Sequence, residues 1–396
     1  MLNPRIDGLP DYPFARLRQL LDGIAPPAGL EPVTMSIGEP RHPPPAFVGR
    51  VLHDHRDRYG SYPPIAGTPG FRAAAAAWLE RRYDLPEGMI EADRHVLPLN
   101  GTREGLFMAA LVAVPEEKAG GRPLALIPNP FYQCYFGAAL AAGAEPRLLP
   151  ARAGDGFLPD FAGLDEAVLA RTAVAYFCTP ANPQGAVADL AYLCDLVGLA
   201  RTHGFALLVD ECYAEIYDRD PPPGTLAACA ALGGDMSNVL VFHSLSKRSN
   251  LPGLRSGFAA GDPDLVARFL KLRSYGGAPS PLPVYEAAAA AWRDERHVEA
   301  SRARYRRKLD LAEDRLGGRF GFYRPAGGFF LWLDVGDGEA AARRLWSAAG
   351  VKALPGAYLA RDDGDGGNPG ASYLRLALVD DEATTAEALD RVRAHL

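Results

Sequence analysis

The chain has 396 residues, of which 48% are hydrophobic and 23% are charged, and its formal net charge is −6. This length and composition are typical of a globular protein with about two domains. The negative charge argues against a general nucleic-acid binder, and no apolar run is long enough to cross a bilayer, so neither nucleic acid nor membrane is expected as a partner.

The cysteines and the first residues indicate the compartment. The five cysteines are odd in number and form no CxxC pair, which favours buried thiols in a reducing compartment over disulfides or a zinc site. Residues 1–8 show no positive segment followed by an apolar run, so we expect no signal peptide. The chain is therefore expected to be cytoplasmic.

Before residue 45 the sequence is rich in proline and irregular. His53 and His55 follow in a segment that we expect to be an exposed helix. Short histidine patterns of this kind match metal motifs by chance, and no metal site is expected.

Short apolar runs at 123–128, 173–179, 205–210 and 238–244 predict strands that are buried on both faces. Between two of them, apolar residues recur at helical spacing from Leu190 to Ala200, and Gly204 is a helix stop. Strand, helix and strand in repetition predict an α/β domain with a parallel sheet.

From about residue 285 the pattern is helical as far as 316, and the runs GFFLWLDV and SYLRLALV then predict two strands. We expect a smaller α+β domain here, with the N-terminal segment folded against it. The predicted division is therefore an N-terminal segment at 1–45, a large domain at 46–284 and a small domain at 285–396. The polar, glycine-rich stretch from Ala360 predicts a surface loop.

Polar residues follow the predicted strands, and ligands of open parallel sheets bind at those ends. Asn182, Asp210 and Lys247 each come just after a different strand. Gly101 and Thr102 begin a predicted helix whose free N–H groups suit a phosphate.

Each of these residues also has an ordinary interpretation. Asp210 could cap a helix, Asn182 could form a turn, and Lys247 could be a solvated loop residue. Arg375 is harder to dismiss, because a guanidinium in an apolar strand needs an anionic partner. Lysine is also rare, with five among 42 cationic residues, and only lysine can become a neutral amine nucleophile.

The combination is more specific than its members. Pyridoxal phosphate needs a lysine for its aldehyde, a carboxylate for its ring nitrogen, donors for its phenolic oxygen, a stacking ring, and a cation with N–H groups for its phosphate. All these residue types fall at one edge of the predicted sheet.

The segment SLSKRSNLPGLRSG, whose lysine and arginine lie eight residues apart, resembles the cofactor-attachment motif of fold-type I, class I/II aminotransferases. SIGEP, YPPIAGTPGFR, NGTREGLF, NPFYQCY, PANPQGA, LVDECYAEIY and YLRLALV occur in the family's order. The resemblance implies an α/β fold, with a mostly parallel seven-stranded sheet flanked by helices and a smaller α+β domain. It also implies pyridoxal phosphate as cofactor and a homodimer with shared active sites.

The resemblance implies these roles as well. Lys247 attaches the cofactor and moves the proton, Asp210 pairs with its ring nitrogen, and Tyr213 with Asn182 binds its phenolic oxygen. The remaining expected residues are Tyr132 for stacking, Gly101, Thr102, Arg103, Ser244, Ser246 and Arg255 for the phosphate, Tyr62 from the neighbouring subunit, and Arg375 with Gly38 and Asn182 for the substrate carboxylate.

Within the family, the segments SIGEPRHPPP and SLSKRSNLPGLRSGF resemble the succinyldiaminopimelate transaminase branch of lysine biosynthesis. That similarity implies ping-pong transfer of an amino group between glutamate and N-succinyl-2-amino-6-ketopimelate, whose distal carboxylate needs a further cation. The sequence does not choose among Arg41, Arg103, Arg248 and Arg273.

Three alternatives remain. A class I aminotransferase of other specificity would act on aspartate, an aromatic amino acid or another acyl-diamine. A ligand-sensing domain is disfavoured because the catalytic set is complete, and a nicotinamide-binding Rossmann enzyme is disfavoured because no GxGxxG is present.

Overall fold

Helices and strands alternate over most of the computed structural model, which describes residues 3–363 and 367–396. Helices α1 to α15 span Pro13–Leu20, Ala46–Asp54, Pro69–Tyr83, Ala92–His95, Thr102–Ala113, Gln133–Ala142, Glu166–Arg171, Leu190–His203, Thr225–Ala231, Leu245–Arg248, Pro263–Gly276, Leu282–Arg293, Arg296–Leu316, Gly338–Ala349 and Glu382–His395. Strands β1 to β12 span Val33–Thr34, Val96–Leu99, Leu124–Asn129, Glu145–Pro150, Thr172–Cys178, Ala206–Asp210, Val239–Ser244, Gly257–Gly261, Phe330–Asp334, Val351–Lys352, Leu354–Pro355 and Tyr373–Ala377.

Seven strands form the large sheet, in the order β2-β8-β7-β6-β5-β3-β4. Strand β8 runs antiparallel to both of its neighbours, and the other pairings in the sheet are parallel. The expected mostly parallel, seven-stranded α/β fold is confirmed. The four strands predicted from apolar runs are β3, β5, β6 and β7, with ends shifted by about one residue.

Both faces of the large sheet are covered, which explains why its strands read as unbroken apolar runs. In β5, Ala175 and Phe177 belong to one buried cluster, whereas Val174 and Tyr176 belong to the cluster on the opposite face. Alternate side chains of a strand point to opposite faces, so covering both faces requires every position to be apolar.

Helix α8 has the predicted form. Asp189 caps its first turn by accepting the N–H of Tyr192 at 2.8 Å. Gly204 ends the helix with a φ of 60°, a conformation that glycine adopts at little cost.

A second, antiparallel sheet of three strands in the order β11-β12-β9 lies in the C-terminal part of the chain. Strand β1 pairs with β10, and apolar residues of the N-terminal segment, Leu17 and Met35 among them, share a buried cluster with this sheet. Tyr285 and Trp292 pack instead in a cluster of the large sheet. The domain boundaries at residues 45 and 284 stay predictions.

The helical stretch predicted at 285–316 consists of two helices, α12 and α13. The break follows from a local cap, because Asp294 accepts the backbone N–H of His297 at 3.1 Å and so replaces a helical acceptor. The glycine-rich loop from Ala360 lies partly outside the described residues. No helix in the described part of the chain is long and apolar enough to cross a membrane.

Helix α1 holds residues 12–14 at the cavity described below, and Leu17 anchors it with 3% of its surface exposed. We expect Leu17→Ala to destabilise this segment by about 2–5 kcal/mol, through lost burial and the cavity that remains. Native-state hydrogen exchange of residues 13–34 measures this change. The control is Leu232→Ala, at a leucine that is 42% exposed, and equal exchange in both variants would contradict the expectation.

Candidate active site

A cavity of about 610 Å³ opens at the carboxyl ends of the strands of the large sheet. The N-terminal segment and the three-stranded sheet, called the small sheet below, cover these strand ends. Most of the residues predicted for the site line it: Gly38, Thr102, Arg103, Tyr132, Asn182, Asp210, Tyr213, Ser244, Ser246, Lys247, Arg255 and Arg375. Parallel strands that end at one edge bring together residues that are far apart in sequence.

Lys247 lies on the short helix α10, directly after β7. Its Nζ donates a hydrogen bond to the backbone carbonyl of Gly38 and lies 5.5 Å from the centre of the Phe329 ring. Burial lowers the pKa of Lys247 to about 8. A large share of the Lys247 side chains is therefore neutral at a pH just above 7.

Asp210 ends β6 and is 5% exposed. Its Oδ2 accepts the hydroxyl of Tyr135 at 2.8 Å, and its Oδ1 accepts the backbone N–H of Cys212 at 3.1 Å. Burial raises the pKa of this carboxyl, and the hydrogen bonds oppose that shift. Tyr135 is itself fixed by stacking on Tyr176, with ring centres 4.7 Å apart.

The N-terminus of α5 supplies free backbone N–H groups beside Arg255. Gly101 precedes this helix with a φ of 84°, and a Cβ there would lie 2.2 Å from Nη2 of Arg255. Glycine is therefore required for the close approach. Ser244 and Ser246 also line the cavity, and their hydroxyl oxygens are 3.0 Å apart.

Arg375 projects from β12 and is 4% exposed. It donates to Oδ1 of Asn182 at 3.1 Å and to the carbonyl of Ser36 at 2.7 Å, and its Nε is buried without a partner. No carboxylate forms a salt bridge with it in the described residues. Burial lowers the pKa of Arg375 to about 10, so its charge is poorly compensated.

Two tyrosines expected at the site also lie in the cavity wall. Tyr213 packs edge-on against Phe329 and Phe330, with ring centres 5.4 Å and 5.8 Å away. Tyr132 precedes helix α6, and its hydroxyl accepts the Nε–H of Arg103.

Of the four arginines considered for a distal carboxylate, three have acidic partners and do not line the cavity. Arg41 pairs with Asp380 at 2.5 Å and Arg248 with Glu295 at 2.6 Å, and Arg273 pairs with Glu104.

The fourth of these arginines, Arg103, lines the cavity. The hydrogen bonds that it makes go to the phenols of Tyr132 and Tyr12. No carboxylate forms a salt bridge with Arg103 in the parts of the chain that the structure describes.

Two predicted site residues do not line the cavity. Gly101 lies behind Arg255, as described above, and the side chain of Tyr62 is fully exposed. His53 and His55 lie at the end of α2 and its cap, and the described residues contain no cluster of three metal-ligating side chains.

Sequence reasoning missed several residues of the cavity wall. Tyr135, Cys212, Glu39 and Tyr12 line it. The repeated tyrosine in NPFYQCY is the one local signal for Tyr135, because positions three apart share a helix face.

The cavity fits pyridoxal phosphate. It combines a lysine of lowered pKa, a buried carboxylate held by two donors, and a helix N-terminus where a Cβ at Gly101 would obstruct Arg255. These features match the aldehyde, ring nitrogen and phosphate of that cofactor.

The lowered pKa of Lys247 predicts its labelling behaviour. In cofactor-free protein, acetylation of Lys247 should reach half its maximal rate at about pH 8, because only the neutral amine reacts. Peptide mass spectrometry across pH 6 to 10 measures this. The same peptide in urea-unfolded protein is the control, and coincident profiles in the two states would contradict the buried position.

Curated relatives match over nearly the whole chain. A 4-dedimethylamino-4-oxo-anhydrotetracycline transaminase of Streptomyces rimosus is 34% identical, covering 97% of this chain and 99% of its own. An LL-diaminopimelate aminotransferase of Desulforudis audaxviator is 31% identical, covering 99% and 97% respectively.

Solved structures share the fold. An aminotransferase from Neisseria meningitidis has a TM-score of 0.94 at 42% identity, covering 99% of both chains. A probable N-succinyldiaminopimelate aminotransferase from Thermus thermophilus has a TM-score of 0.84 at 29% identity, covering 97% of this chain and 100% of its own. Residues 31–392 match the family described as aminotransferase class I and II. The chain belongs to that family, whose members use pyridoxal phosphate.

Proposed function

We propose that the protein transfers an amino group between L-glutamate and N-succinyl-2-amino-6-ketopimelate, by a ping-pong mechanism, in the diaminopimelate route to lysine. The observation that carries this proposal is the pair of cavity arginines, Arg375 and Arg103, for which the described residues provide no carboxylate partner. A substrate with a carboxylate at each end would satisfy both guanidinium groups.

Lys247, Asp210 and Tyr213 carry the catalytic roles in this proposal. Lys247 attaches the cofactor, Asp210 keeps its ring nitrogen protonated, and Tyr213 binds its phenolic oxygen together with Asn182. When bound, pyridoxal phosphate supplies an electron-withdrawing ring that acidifies the substrate Cα–H bond.

The remaining cofactor contacts are proposed for residues around the ring and at the α5 N-terminus. Tyr132 stacks on the ring. The phosphate is held by the backbone of Gly101, Thr102 and Arg103 and by the side chains of Ser244, Ser246 and Arg255.

The amine of Lys247 is the proposed base. A pKa of about 8 leaves part of the amine neutral at near-neutral pH, which suits a group that takes a proton and returns it. In the described structure the carbonyl of Gly38 holds Nζ in the cavity. Nζ would take the proton from the substrate α-carbon and deliver it to the other end of the reacting system.

Arg375 is proposed to bind the substrate α-carboxylate, with Gly38 and Asn182 closing around it. Its contacts with Asn182 and Ser36 orient the guanidinium, and its buried Nε remains to donate. A carboxylate would relieve the charge that burial leaves uncompensated, which favours tight, oriented binding.

Arg103 is proposed to bind the distal carboxylate. Its backbone belongs to the first turn of α5, whereas its guanidinium reaches Tyr132 and Tyr12. Backbone and side chain can therefore serve different ligand groups. The likeness to the Thermus structure, a probable N-succinyldiaminopimelate aminotransferase, supports a succinylated diaminopimelate substrate.

A second candidate is LL-diaminopimelate itself, the substrate in the names of several curated relatives. Glu39 supports it, because this exposed carboxylate lines the cavity and could pair with a free distal ammonium. Succinylation converts that ammonium into a neutral amide. A class I enzyme of other specificity, for aspartate or an aromatic amino acid, is the further alternative.

We also propose a homodimer in which Tyr62 reaches the phosphate of the neighbouring subunit. The fully exposed side chain of Tyr62, outside the cavity of its own chain, is compatible with that role.

Replacing Lys247 tests the catalytic proposal. We expect Lys247→Arg to keep the charge, lose the covalent cofactor chromophore and lower kcat by about 10⁴-fold, because arginine is neither a neutral nucleophile nor a base. Visible absorbance and mass after borohydride reduction report the attachment. Lys271→Arg, at an exposed lysine of α11, should leave both unchanged, and normal turnover of Lys247→Arg would refute the proposal.

Replacing Arg103 tests the substrate. We expect Arg103→Gln to lower kcat/KM for N-succinyl-2-amino-6-ketopimelate by about 10- to 100-fold, the effect of one charged hydrogen-bonded pair. The value for oxaloacetate should change by less than about threefold, because its shorter chain ends before the distal site. Steady-state amino-acceptor assays with glutamate as donor measure both.

The control for this experiment is Arg268→Gln, at an exposed arginine of α11, which should change neither substrate. Equal losses with both acceptors would contradict a distal role for Arg103. Preference for unsuccinylated substrate, together with a loss in Glu39→Gln, would favour the LL-diaminopimelate alternative.

A further inference from the structure

Helix α13 carries a buried lysine that does not line the cavity. Lys308 lies on α13 with 0% of its surface exposed. Its Nζ contacts three acceptors: the carbonyl of Leu378 at 2.5 Å, the carbonyl of Asp380 at 3.0 Å and Nε2 of His42 at 3.0 Å. An ammonium has three N–H donors, so all of them are satisfied.

Those acceptors come from the two chain segments that meet at Arg375. His42 belongs to the N-terminal segment, six residues after Ser36, whose carbonyl accepts from Arg375 at 2.7 Å. Leu378 and Asp380 directly follow β12, the strand that carries Arg375. Lys308 therefore joins the two segments that support the cavity guanidinium.

The same two segments are also joined by the backbone. The N–H of Ala377 donates to the carbonyl of Met35 at 2.7 Å, next to the Ser36 contact. Arg41 and Asp380 form an ion pair of 2.5 Å at the outer end of the junction. Lys308 adds a buried connection between the same two segments.

Enclosure of this ammonium is unfavourable. Burial lowers the pKa of Lys308 to about 7, although the nearby carboxylate of Asp380 opposes the shift. Burial and then the Lys308 charge lower the pKa of His42 to about 4. The imidazole is consequently neutral near pH 7, and its Nε2 can accept while Nδ1 carries the proton.

We propose that Lys308 is a positioning residue for the substrate α-carboxylate, which acts by holding residues 36–42 against β12. The hold keeps the carbonyl of Ser36 on Arg375. The inference rests on the carboxylate-binding role proposed for Arg375. A methionine of similar length cannot donate to any of the three acceptors, and the planar guanidinium of arginine does not match their arrangement around one nitrogen.

The test compares two amines that differ by one carboxylate. Glutamate carries an α-carboxylate, and 4-aminobutyrate is the same chain without it. In Lys308→Met holoenzyme, the second-order rate constant for glutamate should fall about tenfold, since displacing an orienting group by a fraction of an ångström weakens productive binding. The constant for 4-aminobutyrate should change by less than about twofold, with both followed by stopped-flow absorbance of the cofactor.

A binding measurement makes the test independent of turnover. The dissociation constant of succinate, a non-reacting dicarboxylate, should rise by about the same tenfold in calorimetric titrations of Lys308→Met. The control is Lys118→Met, because Lys118 also donates to three carbonyls, those of Thr172, His203 and Gly204. None of these residues lines the cavity, so Lys118→Met should leave both the rate ratio and succinate binding unchanged.

Two further variants test the proposal even if Lys308→Met folds poorly. His42→Leu removes one acceptor on a half-buried side chain and should lower the glutamate-to-4-aminobutyrate ratio about threefold, whereas His42→Gln keeps an acceptor and should restore it. Equal losses for both amines, or an unchanged ratio in soluble Lys308→Met and in His42→Leu, would overturn the proposal.

Arg375→Met separates this failure from failure of the role on which the inference rests. If Arg375→Met lowers the ratio and Lys308→Met does not, Lys308 has no positioning role. If Arg375→Met leaves the ratio unchanged, the proposed carboxylate site is itself wrong.

Discussion

Desolvation of charged groups in one cavity is the constraint on which the rest of the site depends. Burial lowers the pKa of Lys247 to about 8 and that of Arg375 to about 10, and it raises the pKa of Asp210. Burial is the shared cause: the N-terminal segment contacts Lys247 and Arg375 through the carbonyls of Gly38 and Ser36, and Tyr135 contacts Asp210. An anion bound there offsets both cations, so ligand binding and stability of the closed arrangement are coupled.

The cavity is closed by three parts of the chain that are distant from one another in sequence. Arg375 comes from β12, and it is oriented by Asn182, which follows β5, and by Ser36 from the N-terminal segment. The same segment supplies Gly38, whose carbonyl holds Lys247. Ser36 and Gly38, two residues apart in this segment, therefore contact the guanidinium of Arg375 and the amine of Lys247 respectively.

The parts predictable from the sequence were those with a local signal. Strands buried on both faces read as apolar runs, and Asp210 and Lys247 stood out because they directly follow such runs. The antiparallel β8 and the number of strands had no such signal, and the count came from the family resemblance alone. Tyr135 and Lys308 were missed because their partners lie 75 residues away for Tyr135 and up to 266 for Lys308. Only tertiary structure reveals such pairs.

The salt bridges in the structure reduce the number of arginines that are available to bind a ligand anion. The sequence alone, with its 42 cationic residues, did not make that choice. Arg41, Arg248 and Arg273 are matched by carboxylates, whereas Arg103, Arg255 and Arg375 line the cavity, and the described residues offer them no salt bridge. In the proposed arrangement, Arg255 pairs with the cofactor phosphate. Arg375 is buried and calls for a carboxylate, because an enclosed cation is stable only with an anionic partner. Arg103 is exposed, and we propose that it binds a second carboxylate. An amino acid or keto acid with a second, distal carboxylate is therefore the substrate class that we propose for this cavity.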